Sequence, residues 1–275
     1  MLIVLQIAEI ILPLLYAAIF AVYLRQFLTH SERGDRFPGS LLLYGTLGFH
    51  LTYLTAHSVY LHHFPVSSRA EFLSLVALCI GLVYAFAERK HKEANTGVFF
   101  IALIVATQGW SSILMEPSTA HPLLHENPIY GIHVIFTVFG FTALAVSALY
   151  ALMYVLLSRQ LKSRNLGMIF RRLPPLNTLE NMSRLSTICG IAFLGLGLAT
   201  GHFLALYVLD DFSFMDPKII ITYIAWALYA AGYLIVKWRR LSGLRMGYLS
   251  LGAYLALIAS MVIVNSFFNT FHSFQ

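Results

Sequence analysis

The stretch "PIYGIHVIFTVFGFTALAVSALYALMYVLL", residues 128–157, contains no Lys, Arg, Asp or Glu. An α-helix rises about 1.5 Å per residue, so about 20 apolar residues cross the ~30 Å hydrocarbon core of a bilayer. A backbone in lipid has no water to bond with, and a helix satisfies its own N–H and C=O groups. Residues 128–157 are therefore predicted to form one membrane-spanning helix.

Apolar runs of similar length recur along the whole chain. Of its 275 residues, 59% are hydrophobic and 11% are charged, whereas a soluble domain carries about 25% charged residues. The segments between the runs are too short for a soluble domain. The sequence thus predicts an all-α, polytopic membrane protein with a single transmembrane domain over residues 1–275. About eight transmembrane helices are predicted, at 3–28, 40–62, 71–87, 97–115, 128–157, 184–208, 218–237 and 246–268.

The positive charges indicate how these helices are oriented. All but two of the 18 Lys and Arg residues lie in or beside the first, third, fifth and seventh loops, the exceptions being Arg69 and Lys218. Loops rich in Lys and Arg stay on the cytoplasmic side. Both termini are therefore predicted to lie outside, and the long loop 158–183 inside. Topology accounts for the net charge of +6, which gives no indication of nucleic-acid binding.

Signals for cleavage and for covalent cofactor attachment are missing from the sequence. The opening stretch has neither the basic n-region nor the small-residue cleavage site of a signal peptide, so it is interpreted as the first permanent helix. Cys79 and Cys189 lie inside apolar spans without CxxC or CxxCH spacing. Neither a redox relay nor covalent haem attachment is indicated.

The long inner loop and the span after it carry two local signals. In "RRLPPLNTLENMSR" (171–184), Pro174-Pro175 stops a helix, and a capping-box-like start at Asn177 predicts a short interfacial helix leading into span six. Span six itself is rich in glycine, and small residues in lipid allow close approach of another helix or a ligand. These glycines are Gly190, Gly195, Gly197 and Gly201.

Eleven histidines are a high number for a chain with so little charge, because polar groups inside a bilayer are costly and usually face a partner or a cavity. His30 and His91 fall in inner loops, and His50 lies deep in span two. On the predicted topology the others lie in the outer half or in outer loops: His57, His62, His63, His121, His125, His133, His202 and His272.

Two of these histidines have the placement that an axial haem ligand pair requires. His133 lies about one turn into span five, and His272 ends span eight at the same predicted level. Low-spin haem iron takes two neutral imidazoles from different helices as axial ligands. Outer-side aromatic residues such as Phe136, Phe139 and Phe268 would supply the surrounding wall.

Other interpretations of the histidines stay open. An imidazole near the membrane surface can bond to backbone or headgroups, and His50 and His57 can bond to neighbouring helices. A transition-metal site at His62 and His63 is a further option. His50 and His63, thirteen residues apart, have nearly the spacing of an electron-carrying di-haem cytochrome b, although span five lacks a second histidine below His133.

Four stretches also resemble, in order, segments of a known family. "HHFPVSSRAEFLSL" (62–75) is similar to a GHFPLSNLYESL segment, and "IHVIFTVFGFTAL" (132–144) to a segment with a haem-ligating histidine. "MDPKIIITYIAWALYA" (215–230) is similar to a W-D-P-K-E-T-W-x-F-I-T-W-L-I-Y-A stretch, and "NTFHSFQ" (269–275) to a closing G-L-H-S-Y-G. These segments belong to the cytochrome c assembly family of CcsA/CcmC-like haem handlers. "LPPLNTLE" (173–180) before a Gly-rich span resembles the HemX-like branch.

The resemblance implies the residues of a haem b site near the outer face. His133 and His272 fall on the two outer ligands and would hold the iron. His63 and Asp216 fall on other family positions, and Asp216 would lie near the haem propionates or a partner. The full set of expected cofactor-binding residues is His133, His272, His63, His57, His202 and Asp216.

The sequence departs from the family pattern in two places. Full cytochrome c synthases carry a tryptophan-rich W-G-x-x-W-x-W-D-P loop, where this chain reads "LDDFSFMDP" (209–217). Their deeper histidine aligns with Leu234, so that ligand is missing, although His50, His57 or His202 could substitute. The resemblance therefore implies haem binding more than haem attachment to an apocytochrome.

These observations lead to one expected function and two alternatives. The expectation is a multi-pass haem-binding protein of the cytoplasmic (inner) membrane in cytochrome c biogenesis or haem delivery, a haem chaperone or transporter rather than a catalyst. Its partners would be haem, the lipid bilayer and another cytochrome c assembly subunit or a cytosolic haem-synthesis enzyme. The alternatives are a HemX-like membrane regulator or scaffold of haem synthesis, acting through the basic inner loop, and a b-type electron-carrying cytochrome.

Overall fold

The computed structural model describes residues 2–29, 38–61, 66, 68–91, 95–114, 128–164, 167–208, 217–239, 241 and 243–267. All regular secondary structure within these ranges is helical, which confirms the predicted all-α class. The helices are α1 (Leu2–Leu28), α2 (Pro38–Leu61), α3 (Arg69–His91), α4 (Gly97–Ile113), α5 (Pro128–Lys162), α6 (Met168–Arg172), α7 (Leu176–Val208), α8 (Pro217–Trp238) and α9 (Leu244–Phe267).

Each of the eight predicted spans coincides with one of these helices, and α6 is additional. Among the described residues, six helical segments are long and apolar enough to cross a membrane, so the chain is a polytopic membrane protein. Of the two remaining spans, α4 has only 17 residues, and α2 is diluted by glycine and polar residues. The six segments are Leu5–Leu28, Arg69–Lys90, Ile129–Lys162, Leu176–Leu206, Ile219–Trp238 and Leu244–Val262.

The inner loop contains one helix that the sequence did not predict, α6. Pro174 and Pro175 separate α6 from α7, as expected. The amides of Thr178 and Leu179 bond to the Pro175 carbonyl at 2.9 and 3.2 Å, and α7 then continues to Val208 without a break. The helical start predicted at Asn177 therefore forms the first turns of α7 and leads into span six.

The helices fall into two compact units, the first within Met1–Ala120 and the second within His121–Gln275. In the first unit α1 packs against α2, α2 against α3, α3 against α4, and α4 against α1. Successive helices run antiparallel: Ser111, near the end of α4, donates to the carbonyl of Ala70, at the start of α3 (2.7 Å). The first unit is therefore an up-and-down four-helix bundle. The single-domain prediction stays a prediction.

A hydrogen-bonded layer crosses the first unit and takes one buried residue from each helix. Nδ1 of His50 lies 2.9 Å from the Tyr16 hydroxyl, and Nε2 lies 2.9 Å from Oγ of Ser74. Ser74 donates its proton to Oε1 of Gln108 (3.0 Å). Because Ser74 has only one proton, His50 must donate through Nε2–H and accept from Tyr16 at Nδ1. Both ring nitrogens of His50 are occupied.

A second polar cluster lies one heptad further along α1. Glu88 accepts hydrogen bonds from the Tyr23 hydroxyl (2.7 Å) and the Ser40 hydroxyl (2.6 Å). A Cβ at Gly97, the first residue of α4, would collide with Tyr23 and Tyr84. The buried carboxylate is thus bonded to α1 and α2, and the start of α4 packs against Tyr23 and Tyr84. Such bonds are what makes burial of a carboxylate tolerable.

In the second unit α5 packs against α6, α7 and α9, while α8 packs against α7 and α9. Its core takes one residue from each long helix: Leu144, Leu194, Tyr229 and Leu257. Trp226 of α8 packs beside them and donates its Nε1–H to the Ile191 carbonyl (2.9 Å).

The closest packing in this unit is a seam of small residues between α5 and α7. A Cβ on Gly140 would lie 2.6 Å from the Leu194 side chain, and a Cβ on Gly190 would collide with Leu144. The spacing along α7 alternates between four and three residues, as in coiled coils and many membrane helix pairs. The α7 positions of this seam are Ser183, Thr187, Gly190, Leu194, Gly197 and Gly201; those of α5 are His133, Thr137, Gly140, Leu144 and Ser147.

Candidate functional site

His133 lies at the end of the α5–α7 seam, five residues after the start of α5. Its Nδ1 is 2.7 Å from the carbonyl oxygen of Gly197. A carbonyl only accepts, so Nδ1 carries the proton and donates it. In a neutral ring Nε2 then holds the lone pair. Within the described ranges no hydrogen bond reaches Nε2, so the ring presents an unshared nitrogen lone pair.

Two glycines of α7 make room for this arrangement. A Cβ on Gly201 would lie 2.5 Å from both Cε1 and Nδ1 of His133. A Cβ on Gly197 would lie 2.7 Å from Oγ1 of Thr137, whose hydroxyl donates to the His133 carbonyl (2.8 Å). Any side chain at either glycine would push α5 and α7 apart or displace His133.

Aromatic side chains lie on the same two helices within two turns of His133. The Phe136 ring stacks on Phe193, with centroids 6.2 Å apart and planes at 27°. The Phe139 ring is 5.9 Å from the same ring and is 45% exposed. Phe136 and Phe139 thus pack on α7 through Phe193, and their role as a wall around haem stays a prediction.

His202 follows Gly201 directly, but it contacts a different helix. One residue along an α-helix turns the side chain by about 100°, and His202 meets Tyr223 of α8 edge-on, with ring centroids 6.2 Å apart. His133 and His202 thus belong to the same unit and the same end of α7, yet they pack against different neighbours.

His57 belongs to the first unit. Its Nδ1 lies 3.6 Å from Oε1 of Glu71, an ion pair when the ring is protonated, and its ring lies 5.7 Å from that of Tyr53. His50, two turns away on α2, bonds to Tyr16 and Ser74. The interpretation that these histidines bond to neighbouring helices is confirmed for His50, which has no nitrogen left for iron.

Three of the predicted site residues, His63, Asp216 and His272, lie outside the described residues. Of the predicted ligand pair, the structure describes only His133, so the role of the pair stays a prediction. Within the described part of the chain, no group of three or more His, Cys, Asp and Glu residues has a metal-binding arrangement. An iron already held by a porphyrin needs no such group, since the protein supplies only axial ligands.

The sequence signalled the glycines of α7 but not their partners. The expected close approach is confirmed at Gly190, Gly197 and Gly201, which face α5, and at Gly195, where a Cβ would lie 3.1 Å from Trp226. The sequence did not predict that the Gly197 carbonyl accepts a hydrogen bond from His133. The signal available was the G-x-x-x-G spacing of Gly197 and Gly201 at the same predicted depth as that histidine.

Comparison with known proteins shows the family to which this helical membrane protein belongs. The family model described as "Cytochrome C assembly protein" matches residues 37–272, and the chain belongs to that family. It is 25% identical over 222 residues to Protein HemX of Brevibacillus brevis, covering 78% of this chain and 79% of that protein. It is 30% identical over 153 residues to inner membrane protein YpjD of Escherichia coli (strain K12), covering 55% and 49%. No solved structure is significantly similar to it.

Proposed function

We propose that this protein binds haem b in the cytoplasmic (inner) membrane and acts in cytochrome c biogenesis or haem delivery. His133 and His272 would be the axial ligands near the outer face. The expectation from the family resemblance that His63, His57, His202 and Asp216 also take part in cofactor binding stays a prediction. Family membership supports the membrane role in cytochrome c biogenesis, and the site geometry supports haem as the cargo.

The observation that carries the proposal is the bond from Nδ1–H of His133 to the Gly197 carbonyl (2.7 Å). Histidines that ligate a metal commonly donate their other N–H to a carbonyl or carboxylate, which fixes the tautomer and raises the basicity of the ligating nitrogen. His133 already has this arrangement. Of the described histidines, His50 does not, because both of its nitrogens are occupied.

Two histidine ligands suit a protein that binds haem and passes it on without using it in catalysis. If His133 and His272 both held the iron, they would leave it no position for oxygen chemistry, and transfer of the haem would require one histidine to let go. The protein would then contribute binding, orientation and exclusion of water, while the redox chemistry belongs to the haem.

The test is haem content and the absorption spectrum of the purified protein, with pyridine haemochrome quantitation. We expect a low-spin, six-coordinate Soret spectrum in the wild type and loss of most of the haem in His133→Ala and His272→Ala. His91→Ala, at the inner end of α3, is the matched control and should keep wild-type haem content. Full wild-type haem in both ligand variants would refute the ligand assignment.

The di-haem cytochrome b alternative is disfavoured by one observation. It requires His50 as a ligand, but His50 would have to break a bond to either Tyr16 or Ser74 to reach iron. Each such break leaves a buried polar group unpaired, at a cost of about 1–3 kcal/mol. A haem-to-chain ratio near two would restore this alternative.

A regulator or scaffold of haem synthesis stays the second candidate, because the inner side of the second unit has an ordered basic element. Oε1 of Gln160 accepts the amide of Phe170 (2.9 Å), which ties α6 to the end of α5. Arg171 of α6 is exposed. Haem-dependent capture of a cytosolic haem-synthesis enzyme, lost on Arg171→Ala/Arg172→Ala, would favour this role over delivery.

A further inference from the structure

We propose that the α7 turn from Gly197 to Gly201 is a positioning element that fixes the tautomer, the rotation and the donor strength of His133. The inference rests on the proposed function in so far as the ligand acts on haem iron. The arrangement of the ring itself does not depend on haem, so the two can be tested separately.

The first step is the tautomer. A free neutral imidazole can carry its proton on either nitrogen, but only Nδ1–H can bond to the Gly197 carbonyl. The single proton of the Thr200 hydroxyl is shared between the Leu196 carbonyl (2.8 Å) and the Gly197 carbonyl (3.1 Å). The Gly197 oxygen belongs to the backbone of α7, so the helix fixes its position, and the bond from Nδ1–H fixes the ring of His133 against it.

The second step is the rotation of the ring. Gly201 faces Cε1 and Nδ1 so closely that even a methyl group would lie 2.5 Å from them. On its own helix, Thr137 donates to the backbone carbonyl of His133 (2.8 Å) and packs against Gly197. The imidazole is therefore held between two glycines. The carbonyl of Gly197 accepts its hydrogen bond, and Gly201, which has no side chain, lies against the ring.

The third step is the consequence for a bound metal. A hydrogen bond from the non-ligating N–H to a carbonyl makes the imidazole a stronger donor, which favours the oxidised metal and lowers its reduction potential. Because His133 belongs to the closely packed seam, it is the ligand expected to stay on iron while the opposite ligand exchanges.

The first experiment uses the protein without haem. In ¹⁵N-histidine-labelled wild type, the His133 signal, assigned by its loss in His133→Ala, should show a protonated Nδ1 and an unprotonated Nε2. Gly201→Ala should shift this signal toward a mixture of tautomers. Gly190→Ala inserts a methyl group into the same seam about three turns from Gly201, against Leu144, and should leave the tautomer unchanged.

The second experiment replaces the side chain with a free ligand. His133→Gly should regain a six-coordinate low-spin haem spectrum with imidazole, which can bind iron and still donate N–H to the Gly197 carbonyl. 1-Methylimidazole binds iron but has no N–H. Measured relative to free haem in the same detergent, imidazole should act at a roughly tenfold lower concentration than 1-methylimidazole, the worth of one buried hydrogen bond.

The outcomes separate the two proposals. A wild type that binds no haem would sink the proposed function, while the ¹⁵N spectrum would still decide on the positioning element. A wild type that binds haem, together with equal rescue by both ligands, would overturn the positioning element alone. Equal tautomer changes in Gly201→Ala and Gly190→Ala would also overturn it, since they would indicate general loosening of the seam.

Discussion

The Tyr16 hydroxyl donates to Nδ1 of His50 across 2.9 Å, joining α1 to α2 in the middle of the first unit. The bond is one of three that link all four helices of this unit in a single layer. Ser74 donates its single proton to Gln108, so the direction of every bond in the layer is determined. Apart from the Gln108 amide nitrogen, which has no partner among the described residues, the layer is satisfied. It fixes how the helices align along their axes, since shifting one helix would leave further buried groups unpaired.

Replacing His50 by Leu should destabilise the protein by about 2 kcal/mol, because the Tyr16 hydroxyl loses its acceptor. The double variant Tyr16→Phe/His50→Leu should be less destabilised than the sum of the two single variants, since both partners of the bond are then gone. Unfolding in detergent, followed by circular dichroism, measures the three free energies. Strict additivity would contradict the bond.

The Glu88 cluster makes a second prediction. Glu88→Leu leaves the hydroxyls of Tyr23 and Ser40 without their acceptor and should lower the free energy of unfolding by about 2–3 kcal/mol. Glu88→Gln keeps the shape and can still bond to both hydroxyls, so its cost should be under about 1 kcal/mol. Equal losses for the two variants would mean that the negative charge, rather than the hydrogen bonds, stabilises this end of the bundle.

The α5–α7 seam predicts opposite effects for two glycine substitutions in the second unit. Gly190→Ala brings a methyl group into Leu144 and should cost about 1–3 kcal/mol through overpacking. Gly252→Ala on α9 meets nothing within 4 Å and should be neutral or stabilising by up to about 1 kcal/mol, because alanine favours the helix. Thermal unfolding of both variants in one detergent checks the pair, and similar melting temperatures would contradict the seam.

The predicted topology can be tested with reporter fusions. Alkaline phosphatase fused after Gln275 should be active, since this enzyme folds only outside the cytoplasm, and a fluorescent protein at the same position should stay dark. A fluorescent protein inserted after Ser163, in the long basic loop, should be bright. The reverse pattern would place the basic loops outside, against the charge bias.

The sequence predicted the helices well because the signal for them is local. A run such as 128–157 must be helical in lipid whatever it packs against, and α5 begins at Pro128 as expected. The start of α7 was predicted from a local signal as well. A capping pattern at Asn177 shows that a helix starts there but carries no information on where it ends.

The histidines were harder to assign, because their roles depend on partners far away in the chain. His50 and His133 both lie in apolar helices, and the sequence left both open as ligands. His50 bonds to Tyr16 and Ser74, 34 and 24 residues away, and has no nitrogen to spare. His133 bonds to Gly197, 64 residues away, through one nitrogen only.

By itself, therefore, the sequence determined the class of this protein: a helical membrane protein with motifs of the cytochrome c assembly family. Hydropathy and charge act residue by residue against lipid and water, so they can be recognised without knowing the fold. The tertiary structure decided between His50 and His133: among the described residues, both ring nitrogens of His50 take part in hydrogen bonds, whereas Nε2 of His133 does not. That depends on whether a hydroxyl or a backbone carbonyl of another helix lies within 3 Å of a ring nitrogen, and only the packing of α1 to α4 and of α5 on α7 fixes this.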